Sequence, residues 1–191
     1  GDFFVDNNSN NLSLIINGRK SPLVSEYNLN KGENNETLCI KNKLKNISHM
    51  FYSCKNIHNI DELKYLDTGE ITDFSHMFAK SNISDIKPLE KWNTSKVKSL
   101  SGMFDSCDLL TNIKPLENWD VSACTDISYI FQYCSNLSDI KPLEKWNVSS
   151  CTDFSYVFQY CTFLSDIKPL ANWNVSNGII FNNLFSYCIK S

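Results

Sequence analysis

Apolar residues recur along this chain at two alternating rhythms. Leu137, Ile140, Leu143 and Trp146 fall three apart, with polar or charged residues between them. That spacing predicts a tight extended or turning path that keeps one side toward a core. Beyond Trp146 the rhythm changes, and Cys151, Phe154, Val157, Phe158 and Cys161 follow the steps of an amphipathic helix of about two to three turns. Thr152 and Asp153 stand just before its first apolar residues, as Thr125 with Asp126 and Thr72 with Asp73 do elsewhere, which predicts helix N-caps. Pro142 sits in the other half, where a fixed φ is tolerated and a helix is excluded.

The same stretch of sequence is written several times. Trp92, Trp119, Trp146 and Trp173 recur every 27 residues. Phe51, Phe78, Phe104, Phe131, Phe158 and Phe185 carry the register one unit further toward the N-terminus, with Leu66 in the tryptophan column. Periods of 20 to 50 residues are the signature of stacked-repeat architectures. A helix this short cannot hold itself together in water, but units laid over one another bury a continuous column of Leu, Ile, Phe and Trp. The repeated residues are therefore read as structural for the most part, and the fold class as an α/β solenoid of ~27-residue units.

The unit "WDVSACTDISYIFQYCSNL", from Trp119 to Leu137, and its counterparts resemble the BspA-like leucine-rich-repeat surface proteins of the short-unit type. The likeness runs from Met50 to about Ile189 and rests on the Trp, Phe and Cys columns together. It implies a right-handed, leucine-rich-repeat-like stack with a short parallel sheet on one face. It also implies surface adhesion and protein binding, and a place at the cell surface.

Residues 1–47 lie outside the repeat. "NLSLIINGRK" reads as a strand entering the turn dipeptide Asn17-Gly18, and "ETLCIKNKL" as a second strand. This segment is expected to be an N-terminal β cap on a solenoid over 48–191. Since "FSYCIKS" follows a repeat unit with no counterpart to that cap, the array is expected to be part of a longer one.

Composition narrows the function. A net charge of −3, with 18 basic and 21 acidic residues and no basic block, gives no footprint for nucleic acid. The longest apolar runs fall far short of a membrane span, so no insertion is expected. Five of six Met-Phe-x-x-Cys-like segments end in cysteine, at Cys54, Cys107, Cys134, Cys161 and Cys188, with Ser81 in the sixth. Cys124 and Cys151 share a second column with Ile71, Val97 and Gly178. Such exchanges argue against a metal cluster or an obligate disulfide, so neither is expected, and the thiols are read as small buried hydrophobes. Unpaired thiols and the lack of a visible signal peptide leave a cytoplasmic location as the alternative to the surface.

His49 and His76 share a column with Gly102, Tyr129, Tyr156 and Asn183, while His58 lies in a less regular connection. A column that tolerates Gly and Asn is read as surface rather than as a metal or pH-sensing pair. Asn93, Asn147 and Asn174 head a column of Asn-x-Ser motifs that duplication explains. Two stripes remain for binding. Lys87, Lys114, Lys141 and Lys168 would form a ladder if coils stack about 5 Å apart. Tyr129, Tyr133, Tyr156, Tyr160 and Tyr187 flank the buried phenylalanines, and tyrosine is enriched at interfaces. With no phosphate-binding glycine loop, nucleophile elbow or isolated carboxylate pair, no catalytic residue and no cofactor are expected. The expectation is a non-enzymatic module that binds a protein or surface glycan. The alternatives are a structural spacer that self-associates end to end, and the substrate-recruiting arm of a larger enzyme.

Overall fold

The structure is a computed structural model that describes residues 10, 12–16, 19–21, 36–40, 43–57 and 59–188. Ahead of the repeats stands an antiparallel sheet of β1 (Leu12–Ile16), β2 (Arg19–Ser21) and β3 (Glu36–Ile40), in the order β2-β1-β3. β1 and β2 are joined across residues 17–18, with Ile16 opposite Arg19 and Leu14 opposite Ser21. Leu12 is buried and belongs to the same core cluster as Leu44 and Ile47.

From Leu44 onward the chain winds through successive coils that lie directly over one another. Asn46, Asp73, Ser99, Asp126, Asp153 and Ile180 form a column of parallel bridges, one residue per coil. Beside it, four backbone N–H···O=C bonds join each coil to the next. Between the fourth and fifth coils these are Ile127 to Asp153, Tyr129 to Ser155, Phe131 to Val157 and Tyr133 to Gln159, at 2.8–3.3 Å. The other junctions repeat the arrangement with the equivalent residues.

The expected helix over Cys151–Cys161 is replaced by a run of turns. Alternate amides, such as Gln159 and Cys161, close three-residue turns onto Tyr156 and Phe158. The amides between them reach across to the next coil. A helix would need those same donors for its own i−4 carbonyls, and the neighbouring coil takes them instead. Two residues per coil also stand at φ between 52° and 63°, which an α-helix excludes. The apolar spacing is nevertheless that of the core: Phe154, Val157, Phe158 and Cys161 are all buried. Asp153 accepts from the Ser155 N–H at 2.8 Å and from its hydroxyl, so the predicted cap is an Asx turn without a helix behind it.

The prolines are displaced from their expected setting in a similar way. Pro88, Pro115, Pro142 and Pro169 occupy the middle of short 3₁₀ turns, Lys87–Leu89, Lys114–Leu116, Lys141–Leu143 and Lys168–Leu170. A first-turn amide has no intrahelical partner, so a missing N–H costs nothing there. Among the described residues the short parallel sheet is reduced to the single bridge column.

The core is built from stacked columns. Phe51, Phe78, Phe104, Phe131, Phe158 and Phe185 lie ring over ring with centroids 5.5–5.9 Å apart. Each tryptophan ties its coil to the one below: Nε1 of Trp92, Trp119, Trp146 and Trp173 donates to the carbonyl of Leu63, Leu89, Leu116 and Leu143 at 2.8–3.1 Å. Leu66 has no such donor and is only half-buried in the first coil.

Candidate binding surface

The outward side chains of the turn segment come from its left-handed residues. In each coil two such residues stand four apart: His49 and Ser53, His76 and Lys80, Gly102 and Ser106, Tyr129 and Tyr133, Tyr156 and Tyr160, Asn183 and Tyr187. A non-glycine residue at φ near +60° costs roughly 1–2 kcal/mol. In the first five pairs the inter-coil bonds donated by these same amides hold them there. The sequence does carry a signal for this geometry, namely Gly102 and Asn183 sharing a column with bulky residues, because Gly and Asn are the residues that favour positive φ.

This backbone makes the five predicted tyrosines into two ladders. Tyr129 and Tyr156 stack at 4.7 Å between centroids, with 12° between ring planes. Tyr133, Tyr160 and Tyr187 stack at 4.6 and 4.4 Å. Because the rings lie face to face along the stack, their edges and hydroxyls form the outward rim. Tyr133 is 43% and Tyr187 66% exposed, while Tyr129, Tyr156 and Tyr160 are half-buried. Partial burial raises the Tyr129 phenol, with Tyr156 adding to the effect. Between the ladders, Gln132 Nε2 donates to Gln159 Oε1 at 2.5 Å. Lower on the same columns, His49 and His76 lie 5.0 Å apart, and burial followed by the His76 charge lowers the His49 pKa.

Lys87, Lys114, Lys141 and Lys168 are all exposed and each opens one 3₁₀ turn. Their amides donate to the side-chain oxygens of Asp85, Asn112, Asp139 and Asp166 at 2.8–2.9 Å. Those acidic residues therefore serve as Asx-turn formers, a task Asn112 performs as well as Asp. Lys114 pairs with Glu117, whose carboxyl is held below its usual range by Lys114 and Lys145. A groove of about 550 Å³ between a 3₁₀ turn at Asp61–Tyr65 and that at Lys87–Leu89 is lined by Asp61, Tyr65, Lys87 and Glu90 among others. No ring contact, ion pair or hydrogen bond between described residues links the lysine ladder to the tyrosine ladders, so they are two separate stripes.

The seven described cysteines are free thiols: six are buried and Cys54 is half-buried. Cys107, Cys134, Cys161 and Cys188 direct their S–H to the carbonyls of Phe78, Phe104, Phe131 and Phe158 in the coil below, at 2.7–3.1 Å. Burial pushes the Cys107 thiol up to about 12 and raises Cys134 and Cys161 as well. In the second column Cys124 directs its S–H to the Asp126 carbonyl at 3.3 Å, and Cys151 donates to the Cys124 carbonyl at 3.2 Å. Among the described residues, no group of three or more His, Cys, Asp or Glu is placed to hold a metal ion. His58 and Cys39 lie outside the residues whose side chains are described. No helix of the described residues is long and apolar enough to cross a membrane.

Two tandem stretches, 40–114 and 108–190, match the family model described as "Mycoplasma protein of unknown function, DUF285". No curated protein and no solved structure matches the chain.

Proposed function

We propose, for a chain that belongs to the DUF285 family of Mycoplasma proteins of unknown function, a non-enzymatic role as a binding or adhesion module. The coils form a right-handed solenoid of the leucine-rich-repeat kind, as the resemblance to BspA-like surface proteins implies, and the N-terminal sheet caps it. Its ligand is a protein or a surface glycan contacted across several coils. The observation that supports this reading is the pair of tyrosine ladders. Aromatic rings with a polar tip, held rigid by stacking and by left-handed backbone, offer contact area at little further entropic cost on binding.

The test is retention of the labelled protein on immobilised cell-surface extracts, with and without Tyr129→Ser, Tyr156→Ser and Tyr160→Ser combined. The triple variant is expected to melt within a few degrees of the parent and to lose retention. Full retention by a folded triple variant would remove the tyrosines from the contact surface.

A further inference from the structure

The left-handed columns are interrupted at one rung. In the coil over 99–107 they carry Gly102 and Ser106, between His76 and Lys80 on one side and Tyr129 and Tyr133 on the other. Tyr160 has a stacked ring on each face, Tyr133 at 4.6 Å and Tyr187 at 4.4 Å. Among the described residues Tyr133 stacks only on Tyr160, so its other face, toward Ser106, carries no ring. Tyr133 is correspondingly more exposed than Tyr160.

On the Ser106 side the coil below does not supply the missing ring. Lys80 turns its ammonium away to the Tyr52 ring, 5.5 Å from the centroid. The His76 imidazole lies over Gly102, so close that a Cβ there would meet its Cε1 and Nδ1 at 2.3 Å. Ser106 is short, and its hydroxyl donates to Asp105 Oδ1 at 2.8 Å. The result is a notch beside Ser106, with the Tyr133 face as its roof, the Ser106 hydroxyl and the half-buried Asp105 carboxylate as its floor, and the His76 ring closing its Gly102 side.

We propose that this notch receives one planar aromatic side chain of a protein partner, which continues the tyrosine stack by a further ring. The inference rests on the tyrosine ladders being a contact surface and names what the partner contributes to it. Continuity with the existing stack is the argument. Rings in these columns repeat every 4.4–4.7 Å, so the roof already has the geometry and spacing of a stacked aromatic pair. A guanidinium would also stack on tyrosine. It is disfavoured here because the half-buried Asp105 carboxylate, the one acid at the notch, already accepts from Ser106.

The experiment is an amide NMR titration of the full chain with N-acetyl-L-tyrosinamide, and separately with N-acetyl-L-argininamide. The tyrosine probe is expected to shift the Gly102, Ser106 and Tyr133 amides saturably, with the arginine probe at least tenfold weaker. Ser106→Tyr places a ring on the same kind of left-handed turn that Tyr133 occupies and fills the notch. It is expected to weaken the tyrosine probe at least tenfold while amides in distant coils keep their positions. Should that variant not fold, Tyr133→Ser removes part of the roof and is expected to give the same loss. Absence of shifts at this rung, preference for the arginine probe, or undiminished binding in a folded Ser106→Tyr or Tyr133→Ser variant overturns the proposal. A probe that fails here while the triple tyrosine variant still loses surface retention removes the notch alone. Probe binding at the notch with retention unchanged in that variant keeps the notch and removes the surface reading.

Discussion

Gly102→Ala is the most informative single perturbation of the left-handed columns, because two separable effects meet there. Gly102 stands at φ +60°, and a Cβ would lie 2.3 Å from two atoms of the His76 ring. The conformational penalty for a non-glycine residue at such a φ is about 1–2 kcal/mol. Reduced freedom of the unfolded chain returns about 0.4–1 kcal/mol of that. The contact adds to this, since the half-exposed imidazole must swing aside and leave its neighbour His49 at 5.0 Å. Overpacking costs about 1–3 kcal/mol in a closed core, and a side-chain tip that can rotate lies at the low end of that range. Together they predict a destabilisation of about 1–3 kcal/mol, read as a fall in Tm of roughly 2–12 °C for a chain of this size. Denaturant melts of the wild type, Gly102→Ala, His76→Ala and the double variant form a cycle that isolates the contact. With the ring removed, the added methyl should cost no more than about 1 kcal/mol, the residual backbone penalty. If Gly102→Ala is as stable as the parent, or costs as much with His76 absent as with it present, the packing account of this column is wrong.

Two further outcomes follow from the buried groups. Burial raises the Asp105 pKa, so the folded state holds its proton more tightly than the unfolded one, and the resulting penalty grows as pH rises from about 3.8 through the folded pKa. Asp105→Asn, which keeps an acceptor for Ser106, should therefore stabilise the protein at neutral pH, with the gain vanishing in melts below about pH 3.8. A gain that is the same at every pH would show that the carboxyl is not what is being relieved. The thiols provide the other outcome: an aromatic disulfide reagent at neutral pH should label the half-buried Cys54 ahead of the buried Cys107, Cys134 and Cys161, and all eight cysteines at once in denaturant. Rapid labelling of Cys134 in the folded state would contradict its burial under the Phe104 carbonyl.

The candidate surface is partly legible in the sequence. The tyrosines at 129, 133, 156, 160 and 187 flank the buried phenylalanines in the repeat, and each coil does turn them outward. Their stacking on one another is not legible, since it depends on the registry of coils 27 residues apart. The lysine ladder is visible together with its acidic neighbours, but reading those neighbours as a charged stripe misses what they do. The exchange of Asp85, Asp139 and Asp166 with Asn112 already points to a side-chain carbonyl oxygen rather than a negative charge as the common requirement.

The 27-residue period and the apolar columns within it determined which residues make the core. Burial depends on side-chain chemistry and on which positions recur, and both are written in the chain. The path of the backbone between those positions was decided only by tertiary structure. The amides at Tyr156 and Tyr160 donate to carbonyls 26 residues ahead rather than to carbonyls within their own turn. No local window of sequence contains that competitor, so a helical spacing of apolar residues became a series of turns, and two residues in every coil became left-handed and outward-facing. The tyrosine ladders, and the notch at Gly102 and Ser106, exist because of that exchange.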